Sequence, residues 1–151
     1  MDIRTNNLRI IYSKASQKDE IAIINLLKNL GGDKSSFNIN KFYIAKDEDK
    51  LIGCIRIKIF EGGYLELSSL VVDSGHQHKG IGSRLVRELL SKEKRRPIFL
   101  LTSSDKENFY KKFNFNIIDP LELPNELKKE YDKITGLPFA KNLQVIVMII
   151  K

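Results

Sequence analysis

The 151-residue sequence has a single cysteine, Cys54, and no tryptophan. One thiol excludes an internal disulfide and any cysteine-rich zinc site. Cys54 lies in an apolar run that reads as strand, the setting of a small core residue rather than a nucleophile. Histidine is almost as scarce. His76 and His78 are the only two, and their H-x-H spacing has no third ligand nearby, so no metal centre is expected. Long hydrophobic runs are missing as well. The longest, Val145–Ile150, falls far short of the ~20 residues that cross a bilayer, and Met1–Arg4 lacks the apolar segment of a signal peptide. A cytoplasmic protein with no membrane partner is the expectation. Negative charge is in the minority, 19 Asp and Glu against 26 Lys and Arg, for a net charge of +7. That balance favours a polyanionic partner, whether nucleic acid, acidic surface or phosphate-rich cofactor, without choosing among them. What is plentiful, 42% apolar and 30% charged residues, is an ordinary globular composition and excludes disordered, collagenous and low-complexity classes. The length predicts one domain over residues 1–151.

The hydrophobic pattern predicts α+β architecture around one mixed, twisted sheet of six to seven strands flanked by helices. Ile10–Ser13 reads as a first strand. Ser16-Gln17-Lys18-Asp19 has the form of a capping box, and Ile23, Ile24, Leu27 and Leu30 follow at helical spacing until Gly31-Gly32 stops the helix. Phe42–Ala45 and Leu51–Phe60 read as a hairpin, with Arg56 and Lys58 on a wet face opposite Ile55, Ile57 and Ile59. Tyr64–Val72 is the next strand, expected to be buried on both faces at Leu70-Val71-Val72. A second helix carries Ile81, Leu85, Val86, Leu89 and Leu90. Beyond it come the strand Ile98–Leu101, a short helix Lys106–Phe113, the strand Phe115–Ile118, a helix Pro124–Tyr131 with proline at its start, and a last strand Leu143–Ile150.

The segment richest in chemistry is Leu70-Val71-Val72-Asp73-Ser74-Gly75-His76-Gln77-His78-Lys79-Gly80-Ile81-Gly82-Ser83. A strand enters a glycine-bearing loop that opens a helix. Backbone N–H groups of a first helical turn lack intrahelical partners and lie at the positive end of the macrodipole, a setting for phosphate. Gly80 and Gly82 permit close approach, and Lys79 and Arg84 add charge. Ile81-Gly82 replaces the Lys-Ser/Thr of a P-loop, and Leu85 replaces the third glycine of a dinucleotide fingerprint. A tight structural turn is the competing reading.

Gln77-His78-Lys79-Gly80-Ile81-Gly82 resembles Q/R-x-x-G-x-G/A, the acetyl-CoA pyrophosphate loop of the GNAT superfamily of N-acetyltransferases. The likeness extends to Leu70–Asp73 as the family's fourth strand and its exit, and to Asn108-Phe109-Tyr110-Lys111-Lys112-Phe113-Asn114-Phe115, which resembles its F-Y-x-x-x-G-F segment. Asn114 stands where glycine is usual, and Asn best tolerates a left-handed conformation. The resemblance implies that strands four and five splay around acetyl-CoA. Backbone near Leu70, Val71 and Val72 would pair with the pantetheine arm, and Gln77, His78, Lys79, Gly80, Ile81, Gly82 and Ser83 would receive the pyrophosphate.

The same resemblance implies catalytic roles. Acetylation of an amine needs a base for the attacking nitrogen and can use an acid for the leaving thiolate. Glu66, eleven residues before Gln77, matches a glutamate that acts as base in several branches. It lies about 13 Å along the strand from Leu70, so a water relay is favoured. Tyr110 matches the family's acid. The alternatives are a salt-bridged strand carboxylate for Glu66 and an amphipathic core tyrosine for Tyr110. Leu100-Leu101-Thr102-Ser103-Ser104 and Glu122-Leu123-Pro124 resemble the branch acting on amino acids, while Ser103 and Lys106 replace the common Asn and Ala of N-x-x-A. The expected function is transfer of acetyl from acetyl-CoA to a primary amine of a small, amino-acid-like acceptor, by a monomer or homodimer without a specific nucleic-acid partner. The rivals are acetylation of a protein or peptide amine, and a GNAT-like module that binds acyl-CoA without transferring the group.

Overall fold

Strand propensity and helical spacing resolve into seven strands and four α-helices in a computed structural model that describes residues 9–136 and 144–151. Met1–Arg4 and Leu143, on which expectations about the start of the chain and of the last strand rested, lie outside the described residues. In chain order the elements are β1 (Ile10–Lys14), α1 (Glu20–Leu30), β2 (Phe42–Asp47), β3 (Lys50–Ile59), β4 (Leu65–Val72), α2 (Ile81–Lys92), β5 (Ile98–Ser103), α3 (Glu107–Lys111), β6 (Asn116–Ile118), α4 (Asn125–Thr135) and β7 (Val145–Ile150). The strands form one sheet in the order β1-β2-β3-β4-β5-β7-β6. Its β4–β5 step is parallel, whereas β1–β2, β2–β3, β5–β7 and β6–β7 are antiparallel. The mixed α+β sheet expected from the pattern is therefore present. The parallel ladder comprises two registers, Leu65 opposite Ile98 and Glu66 opposite Phe99.

The chain divides into two compact units, one of Met1–Ile57 with Ser68–Lys94, the other of Lys58–Leu67 with Arg95–Lys151. In the first, α1 begins at the anticipated cap, where the Asp19 carboxylate accepts the Ser16 N–H at 2.9 Å. It ends where Gly31 turns left-handed at φ 71°. Its buried Ile23 and Leu27 join Phe42 and Ile44 of β2 and Cys54 of β3 in one core cluster. Helix α2 buries Ile81, Leu85, Val86 and Leu89, and it approaches so closely that a Cβ on Gly53 would lie 3.1 Å from Leu85 Cδ1. In the second unit, Leu127 of α4 and Leu123 pack on Phe99 of β5 and Val147 of β7.

Two expectations about burial are overturned. Arg56 and Lys58 do not face water: they are 1% and 6% exposed. Period-two alternation reports side-chain direction, and these charged groups find partners inside the protein on the face that was read as wet. Leu70, Val71 and Val72 are only half-buried. Burial on β4 falls instead on Leu65, Glu66, Leu67 and Ser69.

Asn114 adopts φ 72°, with its N–H donating to the Lys111 carbonyl at 3.0 Å as α3 ends. A residue with a Cβ and no polar side chain is strained there. Asn114→Ala should cost about 1 kcal/mol, and Asn114→Gly should stay within about 0.5 kcal/mol of wild type. Urea denaturation measures both. Equal losses would show that Asn114 supplies side-chain contacts rather than a tolerated dihedral angle.

Candidate functional site

In the first unit, β4 leaves the sheet at Asp73, whose N–H donates to the Ile52 carbonyl at 2.7 Å. A short 3-10 turn, Ser74–His76, brings the chain to Gln77. The Gln77 side chain reaches back, its Nε2 donating to the Val72 carbonyl at 3.0 Å. His78 and Gly80 both adopt left-handed backbone, φ 64° and 82°. Helix α2 then starts at Ile81, and the Arg84 N–H donates to the Gly80 carbonyl at 3.0 Å. Amides that precede such a first helical bond project from the helix end, where the macrodipole is positive. Buried Ile81 anchors the turn, Gly82 and Ser83 are half-buried, and Gln77, His78, Lys79 and Gly80 are exposed. A Cβ on Gly80 would meet nothing within 4 Å. Packing therefore does not demand glycine at this position; its dihedral angle does. Arg84 is already engaged, with its Nε 2.9 Å from Glu88 Oε1 and its guanidinium 4.8 Å from the Tyr12 ring centroid.

The structure also shows what the sequence reading missed around this loop. The His76 ring lies between two carboxylates, Nδ1 at 3.0 Å from Asp73 Oδ2 and Nε2 at 3.1 Å from Asp47 Oδ2. It pins the loop to the end of the β2–β3 hairpin, while the neighbouring His78 is exposed. The H-x-H pair is thus split between two environments. The hydrogen bond from His76, together with the Lys50 ammonium 3.9 Å away, holds the Asp73 carboxyl below its ordinary value.

Glu66 and Tyr110 belong to the second unit. Glu66 is 5% exposed, and one of its oxygens lies 3.8 Å from the Lys58 ammonium. That ammonium also sits 5.3 Å from the centroid of the Phe60 ring. Lys58 gave no signal in the sequence beyond alternation, which assigned it to solvent. Tyr110 is buried in α3, with its ring edge-on to Phe109 at 5.0 Å and to Phe115 at 6.0 Å. Burial alone pushes its hydroxyl up to about 12. Near neutral pH it carries its proton and is available as a donor.

The lowered Asp73 carboxyl has a pH consequence. A depressed folded value adds stability that is present above the unfolded value, and that is lost as pH falls through the folded one. Asp73→Asn should therefore be less stable than wild type near neutrality, and the difference should shrink as pH falls below the ordinary aspartate range. Urea midpoints recorded against pH test this. A gap that stays constant into acid would contradict the linkage.

A family model described as an acetyltransferase (GNAT) domain matches residues 38–117. Among solved structures, N-acetylglutamate synthase from Neisseria gonorrhoeae, complexed with coenzyme A and N-acetyl-glutamate, superposes with a TM-score of 0.73 at 22% identity, covering 93% of this chain and 34% of that one. The chain thus spans about a third of the synthase's length. Rv2747 from Mycobacterium tuberculosis, in a complex containing CoA, gives 0.70 at 21% identity over 93% of this chain and 98% of its own. Arabidopsis thaliana Naa50, bound to a bisubstrate analogue, gives 0.65 at 21% identity over 95% and 99%. These likenesses carry the fold. The family match spans more than half of the sequence and includes the strand–loop–helix segment and Phe109-Tyr110, and on that ground the chain belongs to the GNAT family of acetyltransferases.

Proposed function

We propose that this protein transfers an acetyl group from acetyl-CoA to the primary amine of a small, amino-acid-like acceptor. The observation that carries the reading is the turn His78–Ile81, where two left-handed residues lead directly into the first turn of α2. Backbone donors at a helix's positive end bind a pyrophosphate without a long basic side chain. In this reading the pyrophosphate meets Gln77, His78, Lys79, Gly80, Ile81, Gly82 and Ser83, and backbone at Leu70, Val71 and Val72 pairs with the amides of the pantetheine arm. The acceptor nitrogen attacks the thioester carbonyl and forms the new C–N bond. Its excess proton passes to Glu66 through water as the C–S bond breaks. Tyr110 donates its proton to the departing thiolate. The amino-acid-like acceptor is supported by the Leu101-Thr102-Ser103 and Leu123-Pro124 segments and by the gonococcal synthase among the structural relatives. Single-domain organisation over residues 1–151 and an intracellular location belong to the same proposal.

One observation favours a second reading, an acyl-CoA-binding module without transfer. Glu66 is buried against Lys58, as a structural ion pair would be.

Calorimetry with acetyl-CoA tests the binding half. Wild type should bind, and Gly80→Val, which puts a branched side chain where the ligand approaches, should lose about ten-fold or more in affinity. Unchanged affinity with a lowered melting temperature would reduce the loop to a structural turn. A screen of amines with detection of the released thiol tests the transfer half. On an acceptor so found, Tyr110→Phe should lower kcat about ten-fold while leaving acetyl-CoA affinity unchanged, because a leaving-group acid acts only in the transition state. Wild-type turnover in that variant would leave Tyr110 as a core residue.

A further inference from the structure

Ser69 lies within β4 at φ 60°. A non-glycine residue held left-handed inside a strand is costly and persists only where its surroundings over-determine it. Here they do. Ser69 Oγ accepts from Arg56 Nε at 2.9 Å and donates to the Asp33 carbonyl at 2.6 Å. The Cys54 thiol meets the Ser69 carbonyl at 3.5 Å. Arg56 is committed in turn: Nη2 donates to the Asp33 and Ser35 carbonyls at 3.1 and 2.7 Å, and Nη1 to the Ser36 carbonyl at 3.2 Å. The Asp33 carboxylate closes the cluster, 3.4 Å from Nη2 and accepting from Ser68 Oγ at 3.1 Å.

Burying a guanidinium carries a large desolvation cost, and an apolar pair would join β3 to β4 more cheaply. Glycine would adopt the Ser69 dihedral angle without strain. The sequence uses neither. What the pair of polar residues adds is a fixed direction for β4 immediately before Leu70–Val72. We propose that Arg56, acting through Ser69, is a positioning residue for the acyl-CoA site, holding β4 in the kink that aims the backbone of Leu70–Val72 at the pantetheine arm. This inference rests on the acyl-CoA reading of that strand.

The test uses two probes, CoA and the CoA nucleotide stripped of its pantetheine arm, titrated by calorimetry into wild type, Ser69→Ala, Ser69→Gly and Arg56→Lys. Ser69→Gly relaxes the dihedral strain but frees the kink. Ser69→Ala keeps the strain and removes the hydroxyl's bonds to Arg56, Asp33 and Ser68. Arg56→Lys keeps the charge and loses the fork that spans the carbonyls. Misplacement of about 1 Å remote from the chemistry can cost up to about 100-fold. All three variants should therefore weaken CoA binding about ten-fold or more and leave nucleotide affinity within about two-fold. Ile23→Val, a core truncation elsewhere in the same unit, supplies a destabilised control that should bind both probes as wild type does. If the Ser69 variants bind CoA as wild type does, or lose both probes in proportion to their melting temperatures, the clamp is structural only and the inference is overturned. A wild-type protein that binds neither probe would overturn the acyl-CoA reading itself, a result distinct from failure of the clamp.

Discussion

A guanidinium that cannot reach water has to find its acceptors in the protein. At Arg56 that requirement ties together three stretches distant in sequence: the chain after α1, strand β3 and strand β4. The carbonyls of Asp33, Ser35 and Ser36 all accept from it, so a loop of polar residues is tied to the sheet. Breaking one partner of such a buried set leaves the others unsatisfied, which makes the cluster all-or-none rather than graded. The positive dihedral angle of Ser69 follows from this arrangement. So does the placement of the half-buried end of β4, which leads straight into the loop where α2 begins.

The second unit solves a similar problem with a different pairing. Lys58 and Glu66 face each other from neighbouring strands, both nearly without solvent contact. Tyr110 is enclosed by aromatic edges, with burial alone governing its proton. The first is a buried ion pair, the second a buried neutral phenol.

Much of this was legible in the residues. Helical spacing at Ile23 and Leu27, the cap at Ser16–Asp19 and the glycine stop at Gly31 depend on neighbours close in sequence, and each element appears where its signal lies. The loop Gln77–Ser83 and the left-handed Asn114 were readable for the same reason. Arg56 and Lys58 were not. Alternation fixes which face of β3 a side chain takes, whereas only long-range packing decides whether that face meets water. The partners of Arg56 are backbone carbonyls, which leave no trace in residue type. The partners of His76 were equally silent in the sequence, beyond the expectation of no metal at the H-x-H spacing. Its neighbour in sequence, His78, suggested a pair, while its actual partners, Asp47 and Asp73, come from the ends of two strands.

Cys54 offers a chemical corollary. In the acyl-CoA reading proposed above, any accessible thiolate is a competing acyl acceptor, able to draw an acetyl group onto the protein by thiol exchange. This chain has one cysteine, and it is fully buried. Burial, only partly offset by the Arg56 charge, pushes its thiol up to about 12. At neutral pH the reactive anion is then on the order of one part in 10⁵. In that reading, self-acylation at sulfur is suppressed by the packing of β3 around Cys54.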